Sequence, residues 1–202
     1  MSHGRNYKTL NSNLASQGQG KFPTLLRRPL ALFYLRISMT KRIEAIETKY
    51  QGTLFRSRLE ARWSIFLTAH RKVTRWVYEP HTITIEPDPN PEEVILHTYT
   101  PDFALEIEGK HLYMEVKPML PISLYLEMLK EVARATNQPI LLTVGSFYYR
   151  TQAPKIITLT PTPGPRGTQV KTSKPVPVLE HPLLGHSASS IRLATNYRFD
   201  IY

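Results

Sequence analysis

Apolar residues recur along this chain at two periods, and the switches between them mark out the elements. From residue 57, Leu59, Trp63, Phe66, Leu67, His70 and Val73 fall at helical spacing and form one apolar stripe. Residues 76–78 and 82–86 read as one strand broken around Pro80, and Asp88-Pro89-Asn90-Pro91 then predicts a turn. Apolar and polar positions alternate over 97–107, with Phe103, Leu105 and Ile107 on one face. They alternate again over 111–117, with Leu112, Met114 and Val116 together. Glu108-Gly109-Lys110 between these runs predicts a hairpin, and Pro118 ends the second strand. Residues 123–136 make an amphipathic helix bearing Leu126, Leu129, Val132 and Ala133. Residues 139–144 are a continuous apolar run bounded by Pro and Gly, as in a strand buried on both faces. The predicted order is helix, three strands, helix, strand, an α/β arrangement in which the last strand returns parallel to the hairpin through a crossover.

The flanking segments lack such periods. Residues 1–20 are rich in Ser, Asn, Gln and Gly and are expected to be disordered. Residues 25–37 are short, basic and apolar, a candidate docking segment; residues 40–50 predict a short helix, with Met39 as an alternative start. Seven prolines between Pro154 and Pro182 predict a basic extended linker rather than a compact element. Residues 187–202 return as a short helix, with Ile191, Ala194 and Tyr197 spaced to dock. The expected organisation is an N-terminal extension over 1–50, a core over 51–150 and a proline-rich basic arm over 151–202.

Composition narrows the partners. The chain has 202 residues, of which 41% are hydrophobic, 17 prolines, no cysteine and a formal net charge of +10. Absence of cysteine excludes disulfides, zinc thiolate sites and cysteine nucleophiles. No apolar run approaches the ~20 residues that span a bilayer, and the polar N-terminal stretch is not expected to be a signal peptide. Residues 1–50 hold nine Lys or Arg against two acids, 51–150 eleven against twelve, and 151–202 six against two. The positive charge therefore lies in the ends, which fits nonspecific phosphate contact and equally fits plainly solvated tails.

The acids of the central segment carry the candidate chemistry. Alternation puts Asp102, Ala104 and Glu106 on the face opposite Phe103, and Tyr113, Glu115 and Lys117 together on the next strand. Asp102 and Glu115 then converge across the hairpin, with Ala104 leaving room beside them. Hard oxygen ligands of this kind suit Mg²⁺ or Mn²⁺, and Lys117 is placed to hold or deprotonate an attacking water. The same residues also read as solvent-face charges on an ordinary hairpin. Glu60 flanks the stripe of the first helix and offers a fourth acid, but three residues after Ser57 its pattern favours a capping box. Arg56, Arg58 and Arg62 border the first helix and His111 lies at the entry of the Glu115 strand, all candidate phosphate contacts. His70 lies on the helix stripe and reads as packed.

With Pro101-Asp102 followed by Glu115-Val116-Lys117 in this order of elements, the chain resembles the PD-(D/E)xK nuclease superfamily, the restriction-endonuclease-like fold. Within it, the strings Phe55-Arg56-Ser57-Arg58-Leu59-Glu60-Ala61-Arg62-Trp63, Tyr78-Glu79-Pro80 and Tyr99-Thr100-Pro101-Asp102-Phe103 are similar to a phage and mobile-element group. The resemblance spans about residues 51–145. It implies an αβββαβ core with a mixed central sheet flanked by helices. The implied activity is Mg²⁺-dependent hydrolysis of DNA phosphodiesters to 5′-phosphate ends, with Mn²⁺ a possible substitute. It also implies Asp102, Glu115 and the Val116 carbonyl as metal ligands, Lys117 as the catalytic lysine, Glu60 as the helix acid near the metal, and the helix of Tyr125 and Lys130 beside the site. The expected partners are DNA, with no membrane, and either a second copy of the chain or phage structural proteins; the expected location is the host cytoplasm or the virion. An assembly protein using the fold as a DNA-binding platform is the competing expectation, and an RNA-processing nuclease a third.

Overall fold

Short turns that reverse the chain set the frame of this protein. In chain order the elements are strands β1 (Thr48–Tyr50) and β2 (Thr53–Phe55), helix α1 (Arg58–Ala69), strands β3 (Val73–Tyr78), β4 (Ile83–Ile85), β5 (His97–Tyr99), β6 (Phe103–Ile107) and β7 (Lys110–Lys117), helix α2 (Ser123–Thr136), strands β8 (Ile140–Val144), β9 (Lys155–Gly164), β10 (Gly167–Thr172) and β11 (Val176–Pro177), a 3₁₀ turn at Val178–Glu180, and helix α3 (Ala188–Asn196). The computed structural model describes residues 45–85, 97–147, 153–165 and 167–199, all within a unit that begins at residue 44. The expectations for residues 1–20 and 25–37, for Met39 and for the turn at Asp88 to Pro91 lie outside the described residues.

Glu108 and Gly109 both take positive φ, 50° and 75°. A two-residue turn of that hand matches the twist of the strands it joins, so β6 and β7 pair antiparallel, with Phe103 opposite Met114 and Ala104 opposite Tyr113. β3 adds antiparallel on the far side of β6. On the other side, β8 pairs parallel to β7 after α2, as the buried apolar run predicted. Among the described residues the sheet has seven strands, six in the order β10-β9-β8-β7-β6-β3 with β11 beside β9. The protein is thus an α/β fold with a mixed sheet flanked by helices.

Alternation divides the interior into two apolar layers. Phe103, Leu105, Ile107, Leu112, Met114 and Val116 face Trp63, Phe66 and Phe55 on the α1 side. Tyr113, Ile140, Leu142 and Leu159 face Leu129, Val132 and Ala133 of α2. The central strands therefore hide both faces, which explains the unbroken apolar run of β8.

Four sequence expectations need correction. Residues 48–50 are a strand rather than the end of a helix, because Gln51 and Gly52 turn at positive φ and fold Thr48 against Phe55. The strand expected over 76–86 breaks around Pro80 as its pattern predicted, but the one expected over 97–107 breaks as well, at Pro101; proline cannot donate to a ladder. β4 and β5 then leave the main sheet and pair with each other. The segment after residue 150 is no extended arm: β9 pairs antiparallel with β8 and so continues the core sheet. Its prolines are tolerated because Leu159 pairs with Ile140, the first residue of β8. Pro161 and Pro163 lie beyond that end, where no β8 group needs their missing N–H. The core accordingly runs past the boundary drawn at 150.

The fourth correction concerns Arg62, expected at a DNA surface. It is buried, and its Nη1 donates to the carbonyl oxygens of Ala194 and, at 2.9 Å, Thr195, while the guanidinium lies 5.3 Å from the Phe199 ring centre. The last carbonyls of α3 carry partial negative charge with no partner in the helix, so a guanidinium there fixes α3 to α1. The terminal helix itself forms as predicted, with Ala194 buried and Ile191 packed on the core. Arg62→Ala is expected to lower unfolding stability by ~2–3 kcal/mol in urea titrations, whereas a surface arginine would leave the midpoint unchanged.

His70 is packed, as the stripe implied: its Nε2 bonds the Leu184 carbonyl at 3.2 Å. Burial is the main cause that pushes this imidazole, and that of His181, below the ordinary range, despite the Leu184 and Gly185 carbonyls that raise His70. The unfolded chain takes up those protons near pH 6.5 while the folded chain resists them, so their stabilisation is full above that pH and falls below it. Between about pH 7 and pH 5 the melting temperature of the wild-type chain is expected to fall more than that of His70→Gln, which keeps a donor for Leu184 and does not titrate.

Candidate active site

The turn at Glu108-Gly109 fixes the register that brings the acids together. With Phe103 opposite Met114, Asp102 stands just ahead of β6 and opposite Glu115. Both are nearly inaccessible, at 3% and 2%. Asp102 Oδ2 accepts the Val116 backbone N–H at 2.8 Å, so the side chain replaces a ladder bond that the strand, starting one residue later, does not supply. Asp102 Oδ1 accepts from Arg56 Nη2 at 2.8 Å, and Arg56 Nε pairs with Glu79 at 2.6 Å. Glu79 takes φ 43° and donates its N–H to the Asp102 carbonyl at 2.9 Å, a left-handed residue where the chain turns out of β3.

Glu115 is held from three sides. Oε2 accepts from the Tyr99 hydroxyl at 2.6 Å; Oε1 accepts from the Tyr125 hydroxyl and from Lys117 Nζ at 2.6 Å. Lys117 Nζ also lies 4.9 Å from the Tyr125 ring centre. The excursion through β4 and β5 thereby has a chemical role, since it brings Tyr99 over β7 from one side while α2 brings Tyr125 from another.

Glu60 is the capping acid that its spacing predicts. Ser57 is the N-cap of α1, its hydroxyl accepting the Glu60 N–H at 3.2 Å and donating to Glu60 Oε1 at 2.8 Å. The other carboxylate oxygen accepts from the Tyr78 hydroxyl at 2.6 Å, and that hydroxyl accepts the Arg56 N–H at 3.0 Å. Through Tyr78 and Arg56 the helix acid joins the network that reaches Asp102.

The electrostatics follow from burial. The Asp102 carboxyl is pushed up to about 7, first by loss of water and then by the charge of Glu115, with Lys117 and the Val116 N–H opposing. Burial also raises Tyr99 and Tyr125, and the Glu115 charge adds to both; Tyr78 is pushed up to about 12, chiefly by burial. These three phenols therefore stay protonated and act as donors at neutral pH. Burial alone would lower Arg56, but Tyr78 and the charges of Asp102, Glu79 and Glu60 hold it above its usual value.

Of the residues expected at the site, Asp102, Glu115 and Lys117 come together, and Glu60 joins through two intermediaries. Val116 touches Asp102 through its N–H, with its side chain in the α1-side core. Arg56 lies in the site as a counter-ion. Arg58 is half-buried at the start of α1, its Nε enclosed without a hydrogen-bond partner. His111 is exposed on the Glu115 face, four residues and so ~13 Å along β7. The sequence pointed to none of Tyr99, Tyr125, Tyr78 and Glu79 as a hydrogen-bond or ion-pair partner of the acids: Tyr78 and Glu79 read as strand packing or a groove lining, and Tyr125 only as part of a helix beside the site. Three of them lie in the strings around Pro80 and Pro101, but no period reveals where a hydroxyl points.

Compared with protein-family models, curated proteins and solved structures, the chain finds no match in any of the three.

The donor set suits a hard divalent cation. Among the described residues no three His, Asp or Glu side chains form a ready metal cage. Asp102 and Glu115 nonetheless offer adjacent carboxylate oxygens, and the Asp102 carboxyl is raised chiefly by loss of water, with the Glu115 charge adding to it. A cation there would take over the oxygens that Arg56 and Lys117 now hold.

Removing either phenol leaves buried Glu115 short of a donor. Tyr99→Phe is expected to cost ~1.5–3 kcal/mol in urea unfolding. Tyr125→Phe is expected to cost less, because Lys117 still serves Oε1.

Proposed function

We propose that the protein is a Mg²⁺-dependent DNA endonuclease that leaves 5′-phosphate ends. The observation that carries the reading is a pair of buried carboxylates, Asp102 one residue ahead of β6 and Glu115 on β7, with Lys117 Nζ 2.6 Å from Glu115. The net charge of +10 fits a polyanionic substrate, and the resemblance of the strings around Glu60, Asp102 and Glu115 to the PD-(D/E)xK superfamily supports the same chemistry.

Asp102, Glu115 and the Val116 backbone would hold the cation, with Glu60 on its α1 side. Bound Mg²⁺ supplies Lewis-acid polarisation of the phosphate and a more acidic water. The protein's own groups do the rest. Lys117, one-third exposed and anchored by Glu115 and the Tyr125 ring, orients the attacking water and offsets charge developing on the phosphate. Arg56 is more than half exposed and reaches Asp102 from the solvent side, so it can turn to a phosphate oxygen once its carboxylate is taken. Tyr99 and Tyr125 keep the Glu115 carboxylate in one orientation.

A second reading is a DNA-binding platform of a phage particle, favoured by one observation: both site carboxylates are already hydrogen-bonded by protein groups. The two readings part on a nicking assay. With supercoiled plasmid and Mg²⁺ or Mn²⁺, Glu115→Ala is expected to abolish cleavage and Lys117→Ala to slow it ~10²–10³-fold, both with DNA affinity intact. Cleavage by Glu115→Ala, or cleavage by Lys117→Ala at the wild-type rate, would overturn the nuclease reading. Metal-independent, salt-sensitive binding with no nicking by the wild-type chain would favour the platform.

A further inference from the structure

The face that carries Asp102 and Glu115 continues along β6 and β7 into a cleft of about 230 Å³ between β3, β6 and β7. Ala104 and Tyr113, a register pair, separate the cleft from the acids. Its polar lining comes from Arg75, His81, Glu106, His111, Tyr113 and Gln138, and its apolar wall from Val77 and Pro80. Arg75, Glu106 and His111 stand in one row across the three strands, since Glu106 pairs in register with both neighbours. Among the described residues the side chains of Arg75, Glu106 and His111 have no hydrogen-bond or ion-pair partner. His81 is fixed, its Nε2 bonded to the Tyr113 hydroxyl at 3.1 Å and its ring edge-on to that phenol.

This lining does not suit a phosphate, because Glu106 places a carboxylate at the centre of the row. It suits a flat, neutral group that carries both donors and acceptors along one edge. Arg75 and Gln138 can donate, Glu106 can accept, Val77 and Pro80 give the ring an apolar wall, and the volume is below the ~300 Å³ at which drug-sized pockets begin. We propose that the cleft takes one unpaired nucleobase of the substrate strand. Tyr113 and His111 lie ~7 and ~13 Å along β7 from Glu115, about two to four nucleotides from the reacting bond at the ~3.4 Å rise of a stacked strand. The identity of the ligand as DNA rests on the nuclease reading. The preferred substrate is then DNA with an unpaired position, at a bulge, gap or branch, rather than a perfect duplex.

Fluorescence anisotropy in EDTA tests the cleft without catalysis. The wild-type chain is expected to bind an oligonucleotide duplex with one unpaired adenine about tenfold more tightly than the fully paired duplex. Val77→Trp, which fills the cleft from an exposed strand position, is expected to cut that preference below about threefold while leaving the paired duplex unaffected. Glu106→Gln adds no bulk; it is expected to weaken the discrimination of unpaired adenine or cytosine, which carry amino groups, from thymine. Equal affinity for paired and unpaired DNA would overturn the proposal, as would a preference that both variants retain. A chain that binds unpaired DNA in this way but never cuts overturns the nuclease reading alone; one that cuts but shows no such preference overturns the cleft alone.

Discussion

Two carboxylates buried side by side repel each other and have lost their water, so a fold that keeps them must surround them with donors. That requirement organises this protein. Asp102 and Glu115 face each other because a two-residue turn sets the β6–β7 register, and each is answered by groups from a different element: Arg56 from the loop before α1, the Val116 amide, Tyr99 from β5, Tyr125 from α2 and Lys117 from β7 itself. Removing one carboxylate would relieve its neighbour, whereas removing one donor leaves a buried charge exposed to the other. Lost water first, and then the Glu115 charge, raise the Asp102 carboxyl, and positive charge that reaches either carboxylate offsets part of that cost.

The same requirement explains features that look like digressions. The chain leaves the sheet after Tyr78 and returns at Phe103, a detour that divides the run over 97–107 at Pro101 and places Tyr99 over Glu115. Glu79 takes a left-handed conformation at the point of departure, where its amide fixes the Asp102 backbone and its carboxylate holds Arg56. Both departures from regular structure converge on the acids, where the locally unfavourable geometry is compensated by the charges it positions.

Much of this was legible in the sequence, for physical reasons that differ by residue. Helices α1 and α2 and strand β8 declared themselves because burial imposes a period or a continuous run. The β6–β7 hairpin did so because Glu-Gly is a turn that few other conformations accommodate, and from that hairpin the meeting of Asp102 and Glu115 follows by alternation alone. The tyrosine donors were not legible: a phenol at 99 or 125 fits an apolar stripe whether or not its hydroxyl has a charge to meet. Arg62 misled because a charged residue on a helix reads as exposed unless the helix end that it caps is known. The prolines after residue 150 misled in a similar way, because proline disqualifies a strand only where a neighbour needs its N–H, and which positions have that neighbour is decided by the length of β8.

That last strand pairing sets the smallest piece of chain that can stand alone. Strand β8 has apolar residues on both faces, and β9 covers the one side of it that β7 leaves open. A fragment that stopped at the end of the motif-bearing segment would expose a row of unsatisfied amides and carbonyls along Ile140–Val144, flanked by Ile and Leu and guarded by no charge. Such an edge recruits strands from other molecules. The stretch with no recognisable motif thus covers the apolar edge of the motif-bearing part, and its proline-spaced β9–β10 hairpin gives the sheet a border far less apolar than β8.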